Sequence, residues 1–407
     1  MESRLAPFFL AFCLFAFVAF SPQERMVIQV PVRAHDGALP SDLTLADFEL
    51  SEDGIAQNLK GLYYVEGNRI VRREEKKNFT LQPNATRHFY LVFQMTKYDS
   101  RLEDVMDDIF RNVIRPGDTL TLMTPLKVYS LNQKALGGKP VEQISKEMRG
   151  FVRKDIETGS AEYNGIIKDL RRLIKAIQTN AGVARDQSQL EPEVDSDPTL
   201  GNIGLENTLD RYRTSLEKLE SLRFVDARKF IGFAEGLRGL AGQKIVFFFY
   251  QREFRPEINS SVLNSMMSIY QEDQNIQADL MELFQVYNRQ TPIDAEGISR
   301  AFADADICLH FIFMEKAAQY IFGTSMKEQS EDVFKAFKQI SQATGGIFST
   351  AIDLLAGFKS AAAASANCYL LCYIPSMYVP DGQFRDVHVA VKNRDLSLGS
   401  RLGYFSR

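Results

Sequence analysis

The residue patterns that most often carry catalysis are missing from this sequence. It contains no His-Glu-x-x-His zinc motif, no Gly-x-Ser-x-Gly nucleophile turn and no Walker-type phosphate loop. The histidines His35, His88, His310 and His388 are far apart along the chain, and His310 lies in an apolar, strand-like run. A histidine in such a run is usually a hydrogen-bonded core residue. We therefore expect no catalytic residues, no cofactor and no enzyme activity.

The acidic residues that come closest to a cluster are better explained as solvent-facing. Apolar residues spaced three and four apart predict a helix at 102–113, and Glu103, Asp104, Asp107 and Asp108 fall on its polar side. Negative charge is favourable in the first turn of a helix. These four acids therefore predict a hydrated helix face and not a pair of catalytic carboxyl groups.

The composition places the chain among ordinary globular proteins. It has 407 residues, of which 45% are hydrophobic and 25% are charged, and its formal net charge is −4. This length allows more than one domain, and these fractions argue against a disordered or collagen-like chain. A slightly acidic protein lacks the clustered positive charge that binds nucleic acid. We expect protein partners and no nucleic acid.

The first 21 residues resemble a secretory signal peptide. Arg4 precedes an apolar run at 8–20, and Ala19 is a small residue close to the predicted cleavage point. An uncleaved anchor is the alternative, although the run is shorter than the roughly 20 residues that cross a bilayer. We expect an exported protein, periplasmic or extracellular, with no membrane span in the mature chain.

The cysteines do not suggest a disulfide framework. Cys13 would leave with the signal peptide, so the mature chain would keep three, an odd number. Cys368 and Cys372 are four residues apart in a strand-like run, too far for a bond along one straight strand. We expect Cys308, Cys368 and Cys372 to be small buried core residues.

The two ends of the chain have the alternating pattern of β-strands. Strands are predicted near 27–33, 48–50 and 62–65, and again near 369–373, 384–391 and 398–404. Neither end has enough strands to bury a core alone. We expect residues 22–80 and 366–407 to form one small β-sandwich, with 27–33 paired to 384–392.

The middle of the chain alternates strands with helices. Apolar runs at 88–93, 245–250 and 307–314 have the continuous hydrophobicity of parallel strands covered on both faces, and further strands are predicted at 119–123 and near 127–130 and 347–348. Helical patterns separate most of these runs, including stretches at 258–287, 293–303 and 333–340. Residues 85–365 therefore predict a doubly wound, mostly parallel α/β domain.

A long helical insertion is predicted at 140–225. Apolar stripes at 163–177 and 205–219 have heptad-like spacing, and an acidic, proline-containing loop separates them. These features predict an antiparallel, coiled-coil-like hairpin. The pattern leaves open whether this hairpin protrudes or covers the sheet.

The order of these segments resembles the von Willebrand factor A-related family of exported bacterial proteins. The resemblance rests on motifs at both ends and in the middle of the chain. They are Val30-Pro31-Val32-Arg33-Ala34-His35-Asp36-Gly37, residues 43–54, Arg115-Pro116-Gly117-Asp118, Gly239-Leu240-Ala241-Gly242-Gln243-Lys244, Ala343-Thr344-Gly345-Gly346, residues 369–375, residues 381–385 and Arg401-Leu402-Gly403-Tyr404. The resemblance implies a von Willebrand A-like domain inserted into the β-sandwich.

Members of that family often bind a divalent metal with an Asp-x-Ser-x-Ser motif after the first strand and an Asp after the fourth. The corresponding positions here are Gln94, Thr96 and Tyr98, followed by Gln251. Mg²⁺ normally requires anionic oxygen ligands, and a neutral amide does not offset the cost of removing water from the ion. The resemblance therefore implies a degenerate adhesion site that binds no metal.

The function that we expect from these features is a non-enzymatic protein-interaction module that is exported and works without a metal. Gln94, Thr96, Tyr98 and Gln251 are the predicted contact residues. One alternative is a metal-dependent adhesin in which Asp99 or Glu253 supplies the missing charge, although Asp99 is more simply explained as a helix cap. The other alternative, an enzyme with an unfamiliar site, would require a deep pocket with converging ionisable groups.

Overall fold

A computed structural model describes residues 26–35, 39–180, 204–223, 225–288, 292–318, 324–350, 352–392 and 396–407. The predicted signal peptide at 1–21 and the acidic loop of the helical insertion lie outside these ranges. Within them, no helix is long and apolar enough to span a membrane.

The strands and helices follow in chain order. The strands are β1 (Ile28–Ala34), β2 (Phe48–Glu52), β3 (Ile55–Ala56), β4 (Leu59–Glu66), β5 (Arg69–Glu75), β6 (Arg87–Gln94), β7 (Thr119–Met123), β8 (Val128–Leu131), β9 (Gln243–Gln251), β10 (Phe254–Ile258), β11 (Ile307–Met314), β12 (Thr324–Glu328), β13 (Phe348–Ser349), β14 (Asn367–Tyr373), β15 (Phe384–Val391), β16 (Leu398–Ser400) and β17 (Gly403–Phe405). The helices are α1 (Leu102–Asp108), α2 (Gln133–Gly137), α3 (Val141–Gly159), α4 (Ala161–Asn180), α5 (Leu205–Arg223), α6 (Ala227–Arg238), α7 (Ser260–Ile269), α8 (Gln274–Tyr287), α9 (Ala295–Asp304), α10 (Glu331–Ala343) and α11 (Leu354–Ala364).

A mostly parallel six-stranded sheet forms the middle of the protein. Its order is β13-β11-β9-β6-β7-β8, and only the β7–β8 pair is antiparallel. Every residue of β9 and β11 is buried, because hydrophobic clusters cover both faces of the sheet. Such burial explains why these strands have continuous apolar runs. The protein is therefore a mixed α/β structure.

Strands from the two ends of the chain pair in two antiparallel sheets. Their orders are β16-β1-β14-β4-β5 and β17-β15-β2-β3, and one hydrophobic cluster includes residues from both sheets. The predicted pairing of 27–33 with 384–392 is wrong. Strand β1 pairs with β14 and β16, and β15 pairs with β2. The two strands differ in burial, because β14 is buried along nearly its whole length, whereas β15 alternates as expected of a sheet with one exposed face.

The predicted helical hairpin packs on two other helices. Helices α4 and α5 contact each other, and α5 also contacts α8. Residues of α4, α5, α7 and α8 form one hydrophobic cluster, which shares no residue with the clusters on the two faces of the central sheet. The apolar stripes of the hairpin are therefore buried against each other and within a cluster that includes residues of α7 and α8.

Several features of the fold were not predicted from the sequence. Strands β10 and β12 form a separate antiparallel pair, and β10 occupies residues directly before the predicted helical stretch at 258–287. Helix α11 lies between β13 and β14 and packs against the central sheet. The stretch 258–287 itself is divided into α7 and α8.

Candidate functional site

A cleft of about 780 Å³ lies at the carboxyl ends of β6 and β9. These strands are neighbours, but the chain proceeds from β6 toward β7 on one side and from β9 toward β11 on the other. Ligands of open α/β sheets bind at this kind of switch point. The cleft is lined by Gln251 at the end of β9, by residues that follow β6 and β11, and by residues of α1, α3 and α4.

A chain of hydrogen bonds joins the ends of three strands at the base of the cleft. The ammonium Nζ of Lys316 donates to Thr96 Oγ1 at 3.1 Å, and Thr96 Oγ1 donates to Gln251 Oε1 at 3.3 Å. The backbone N–H of Lys97 donates to the same Gln251 oxygen at 3.1 Å. The hydroxyl and amide oxygens that could face a ligand are thus already engaged within the protein.

The helical insertion forms one wall of the cleft. Asn164 of α4 donates from Nδ2 to the backbone carbonyl of Thr96 at 2.9 Å. The guanidinium of Arg153 from α3 lies 5.5 Å from the ring centroid of Tyr98, within the range of a cation–π contact. Burial, and next the nearby Glu103, raises the pKa of Tyr98 to about 12. The cleft therefore combines a polar base with an aromatic side wall.

Asp99 is held by Arg101 and does not cap α1 in the predicted way. Its carboxylate accepts hydrogen bonds from the Arg101 guanidinium at 2.6 Å and from the Arg101 backbone N–H at 3.0 Å. Burial alone would raise the pKa of Asp99, but the hydrogen bonds from Arg101 outweigh it and lower the pKa below the usual value. Arg101 immediately precedes α1, and no side chain caps the helix at that position.

The structure brings together most of the predicted contact residues. Thr96, Tyr98 and Gln251 line the cleft, whereas Gln94 is exposed at the end of β6 and lies outside the lining. Sequence analysis missed Lys316 and Asn164. Lys316 comes shortly after the apolar run that became β11, so its place at the carboxyl edge of the predicted sheet was the signal that could have revealed it.

Glu253, the second candidate for supplying charge to a metal, lies outside the cleft lining. Its side chain is 3% exposed, and its Oε2 has no hydrogen-bond partner among the described residues. Burial raises the pKa of Glu253 to about 7, although Arg223 and then Lys316 act in the opposite direction. Its carboxyl group is therefore a buried acid that does not line the cleft.

The oxygens at the cleft base do not suit a divalent cation. Thr96 Oγ1 accepts from an ammonium group, and Gln251 Oε1 already accepts two hydrogen bonds. Asp99, the nearest predicted carboxylate, is paired with Arg101. Across the parts of the chain that the structure describes, no three His, Cys, Asp or Glu side chains form a group that could hold a metal.

His310 is a buried structural histidine, as predicted. Its Nδ1 accepts from the backbone N–H of Ile347 at 3.1 Å, which leaves the proton on Nε2 to be donated to Ser365 Oγ at 2.5 Å. Burial lowers the pKa of His310 to about 3. Cys308, Cys368 and Cys372 are also buried and free, as the sequence predicted.

Comparisons with known proteins add little to this description. No protein-family model and no curated protein sequence matches the chain. One solved structure, that of the human COPII-coat protein Sec24c, aligns with 80% of this chain at 7% identity and a TM-score of 0.25. The aligned region spans 44% of that protein chain. A TM-score of 0.25 is too low to indicate a shared fold, and none of these comparisons points to the von Willebrand factor A-related family.

Proposed function

We propose that this chain is an exported, non-enzymatic protein-interaction module whose binding cleft works without a divalent metal. The observation that carries the proposal is the hydrogen-bond chain from Lys316 through Thr96 to Gln251. The Lys316 ammonium group donates a hydrogen bond to the Thr96 hydroxyl oxygen that a metal would need as a ligand. The amide of Gln251 is neutral, whereas a carboxylate at that position would supply negative charge. The cleft is then left to recognise a partner through hydrogen bonds, an aromatic wall and charge.

The proposed architecture is a von Willebrand A-like domain at 85–365, carrying the helical insertion at 140–225, inserted into a β-sandwich of 22–80 and 366–407. The mostly parallel sheet, covered on both faces and wound in both directions from β6, supports the inserted domain. The hydrophobic cluster shared by the two terminal sheets supports the sandwich.

The ionisable groups of the cleft support a binding role over a catalytic one. The carboxylate of Asp99 pairs with Arg101, Glu103 with Arg149 at 3.6 Å, Glu157 with Arg153 at 3.0 Å and Glu315 with Arg252 at 2.9 Å. A general acid or base needs a pKa near the working pH and access to the substrate. Glu253 has such a pKa, but it does not line the cleft.

Site-specific photo-crosslinking tests the interaction directly. A photoreactive phenylalanine replaces Tyr98, and a matched control carries it at the exposed Val71 of β5. Both proteins are irradiated with an envelope fraction of the native organism, either in Mg²⁺ or in EDTA. We expect a discrete protein adduct at position 98, of equal yield in both buffers, and no such adduct at position 71.

The other outcomes separate the rival functions. An adduct that forms in Mg²⁺ and is lost in EDTA would indicate a metal-dependent adhesin. Adducts that are the same at both positions, or absent from both, would show that the cleft is not the interface. N-terminal sequencing of the chain recovered from the envelope fraction tests export, since we expect cleavage after residue 21.

A further inference from the structure

The carboxylates that line the cleft have ion-pair partners, whereas the lysines that line it do not. Each of the carboxylates that line it has an arginine partner within 4 Å, as described above. Lys97 and Lys316 also line the cleft, but neither has a carboxylate oxygen within 4 Å among the described residues. The arginines thus reduce the negative potential of the cleft and leave two ammonium groups without an ion-pair partner.

Unlike a mobile surface lysine, Lys316 is held in place by burial and by a hydrogen bond. Its side chain is partly buried, and its Nζ is held on Thr96 Oγ1 at 3.1 Å. An ammonium has three N–H donors, and the hydroxyl of Thr96 accepts only one of them. The buried Glu253 acts electrostatically on Lys316, but it lies beyond ion-pair distance and outside the cleft lining.

We propose that the cleft binds an acidic side chain of a partner protein, with the ligand carboxylate held by Lys316 and Lys97. This inference rests on the proposed function, because it names the chemistry that the interaction surface recognises. A carboxylate can accept the N–H donors that Lys316 has left, and the partly desolvated position makes the charge-assisted bond stronger than one on an open surface. Arg153 and Tyr98 form the side wall against which the flanking partner residues would pack.

Fluorescence anisotropy with a defined peptide tests the proposal. The probe is a fluorescein-labelled hexaglutamate peptide, compared with a labelled hexaglutamine peptide of the same length. Inorganic phosphate and free glutamate are the two competitors. We expect the full chain to bind hexaglutamate but not hexaglutamine, and binding to weaken as salt is added. Lys316→Met should weaken binding by about tenfold or more, since a charged hydrogen bond is worth about 1.5–3 kcal/mol.

Three further variants distinguish a loss of positive charge from a general loss of folding. Lys316→Arg keeps the positive charge and should retain most of the binding, and Lys97→Met should weaken it. Lys77→Met, at an exposed lysine that does not line the cleft, should leave binding unchanged. Equal binding of the two peptides, or unchanged binding by Lys316→Met, overturns the proposal. So does inorganic phosphate that displaces hexaglutamate at lower concentration than free glutamate, because the site would then be a phosphate site.

The two proposals fail in different experiments. A crosslinked partner at position 98 together with no preference for hexaglutamate would keep the interface and refute the acidic ligand. Binding of hexaglutamate that depends on Lys316, together with no crosslinked partner, would keep the carboxylate site and refute the proposed interface.

Discussion

Glu253 holds a buried carboxyl group whose ionisation should make the stability of the protein depend on pH. The groups that act on it come from several elements and are Arg223, Lys316, Asp332, Tyr250 and Tyr163. Burial raises its pKa from the ordinary value of 4.5 to about 7. Between these pH values the folded protein binds a proton that the unfolded chain has released, so the free energy of unfolding falls as pH rises.

The size of this effect follows from the two pKa values. Each pKa step of one corresponds to about 1.4 kcal/mol, so a rise from 4.5 to about 7 corresponds to about 3 kcal/mol. This stabilising contribution is fully present below about pH 4.5 and is lost as the pH passes through about 7. In the variant Glu253→Gln the side chain resembles the protonated acid at every pH, so this contribution should not change with pH.

Urea unfolding followed by far-UV circular dichroism measures the effect. Wild type and Glu253→Gln are compared between about pH 4.5 and about pH 8, and the difference between their unfolding free energies removes the contributions that the two proteins share. We expect the wild type to lose about 3 kcal/mol relative to the variant over this range. Glu235→Gln, at an exposed position on α6, reports the effect of removing a carboxyl group outside the buried cluster.

A difference between wild type and Glu253→Gln that stays constant across the range would refute the reasoning. It would mean that the Glu253 carboxyl group has the same proton affinity in the folded and unfolded states. A wild type that gains stability relative to the variant as pH rises would show that Arg223 and Lys316 outweigh burial.

Other parts of the structure give sharp predictions for stability. Asp118 is fully buried and pairs with the buried Arg87 at 2.5 Å, so Asp118→Ala should lower the free energy of unfolding by about 3–5 kcal/mol in urea, because it leaves an unpaired buried charge. Gly346→Ala should prevent stable folding or lower the thermal midpoint strongly, because an added Cβ would lie 1.8 Å from the backbone oxygen of Leu309. Gly236→Ala is its matched control in α6, where a Cβ meets nothing within 4 Å, and should raise stability by about 0.5–1 kcal/mol.

The central strands could be predicted because buried strands consist almost entirely of apolar residues, which the sequence shows directly. Strands β6, β9 and β11 lie between other strands and under two layers of helices, so nearly all of their side chains are apolar. The helices after them follow from apolar spacing on one face. The family resemblance implied that Thr96 and Gln251 belong to one site, and the structure places them together at the switch point between β6 and β9.

Strand pairing at the chain ends could not be predicted in the same way. The alternation in β1 and β15 shows which side chains face inward but does not specify which strand is the neighbour. Strand β10 was missed for a related reason, since it contains Arg255, Pro256 and Glu257, and its charges are buried only because they pair with each other and with Glu220. A pattern of hydrophobicity alone does not reveal a strand that is stabilised by buried ion pairs.

Lys316 was the most consequential omission at the site, because it changes the physical reason why a metal would be excluded. From the sequence, the argument rested on neutral amides in place of the carboxylates that would bind a metal. In the structure, Arg252 is paired with Glu315 and Glu328, and Lys316 lies directly on the Thr96 hydroxyl. A cation that approached Thr96 would have to displace an ammonium group and break its hydrogen bond. The same ammonium gives the cleft an affinity for anions, so one residue accounts both for the proposed loss of metal binding and for the kind of ligand that the cleft would accept.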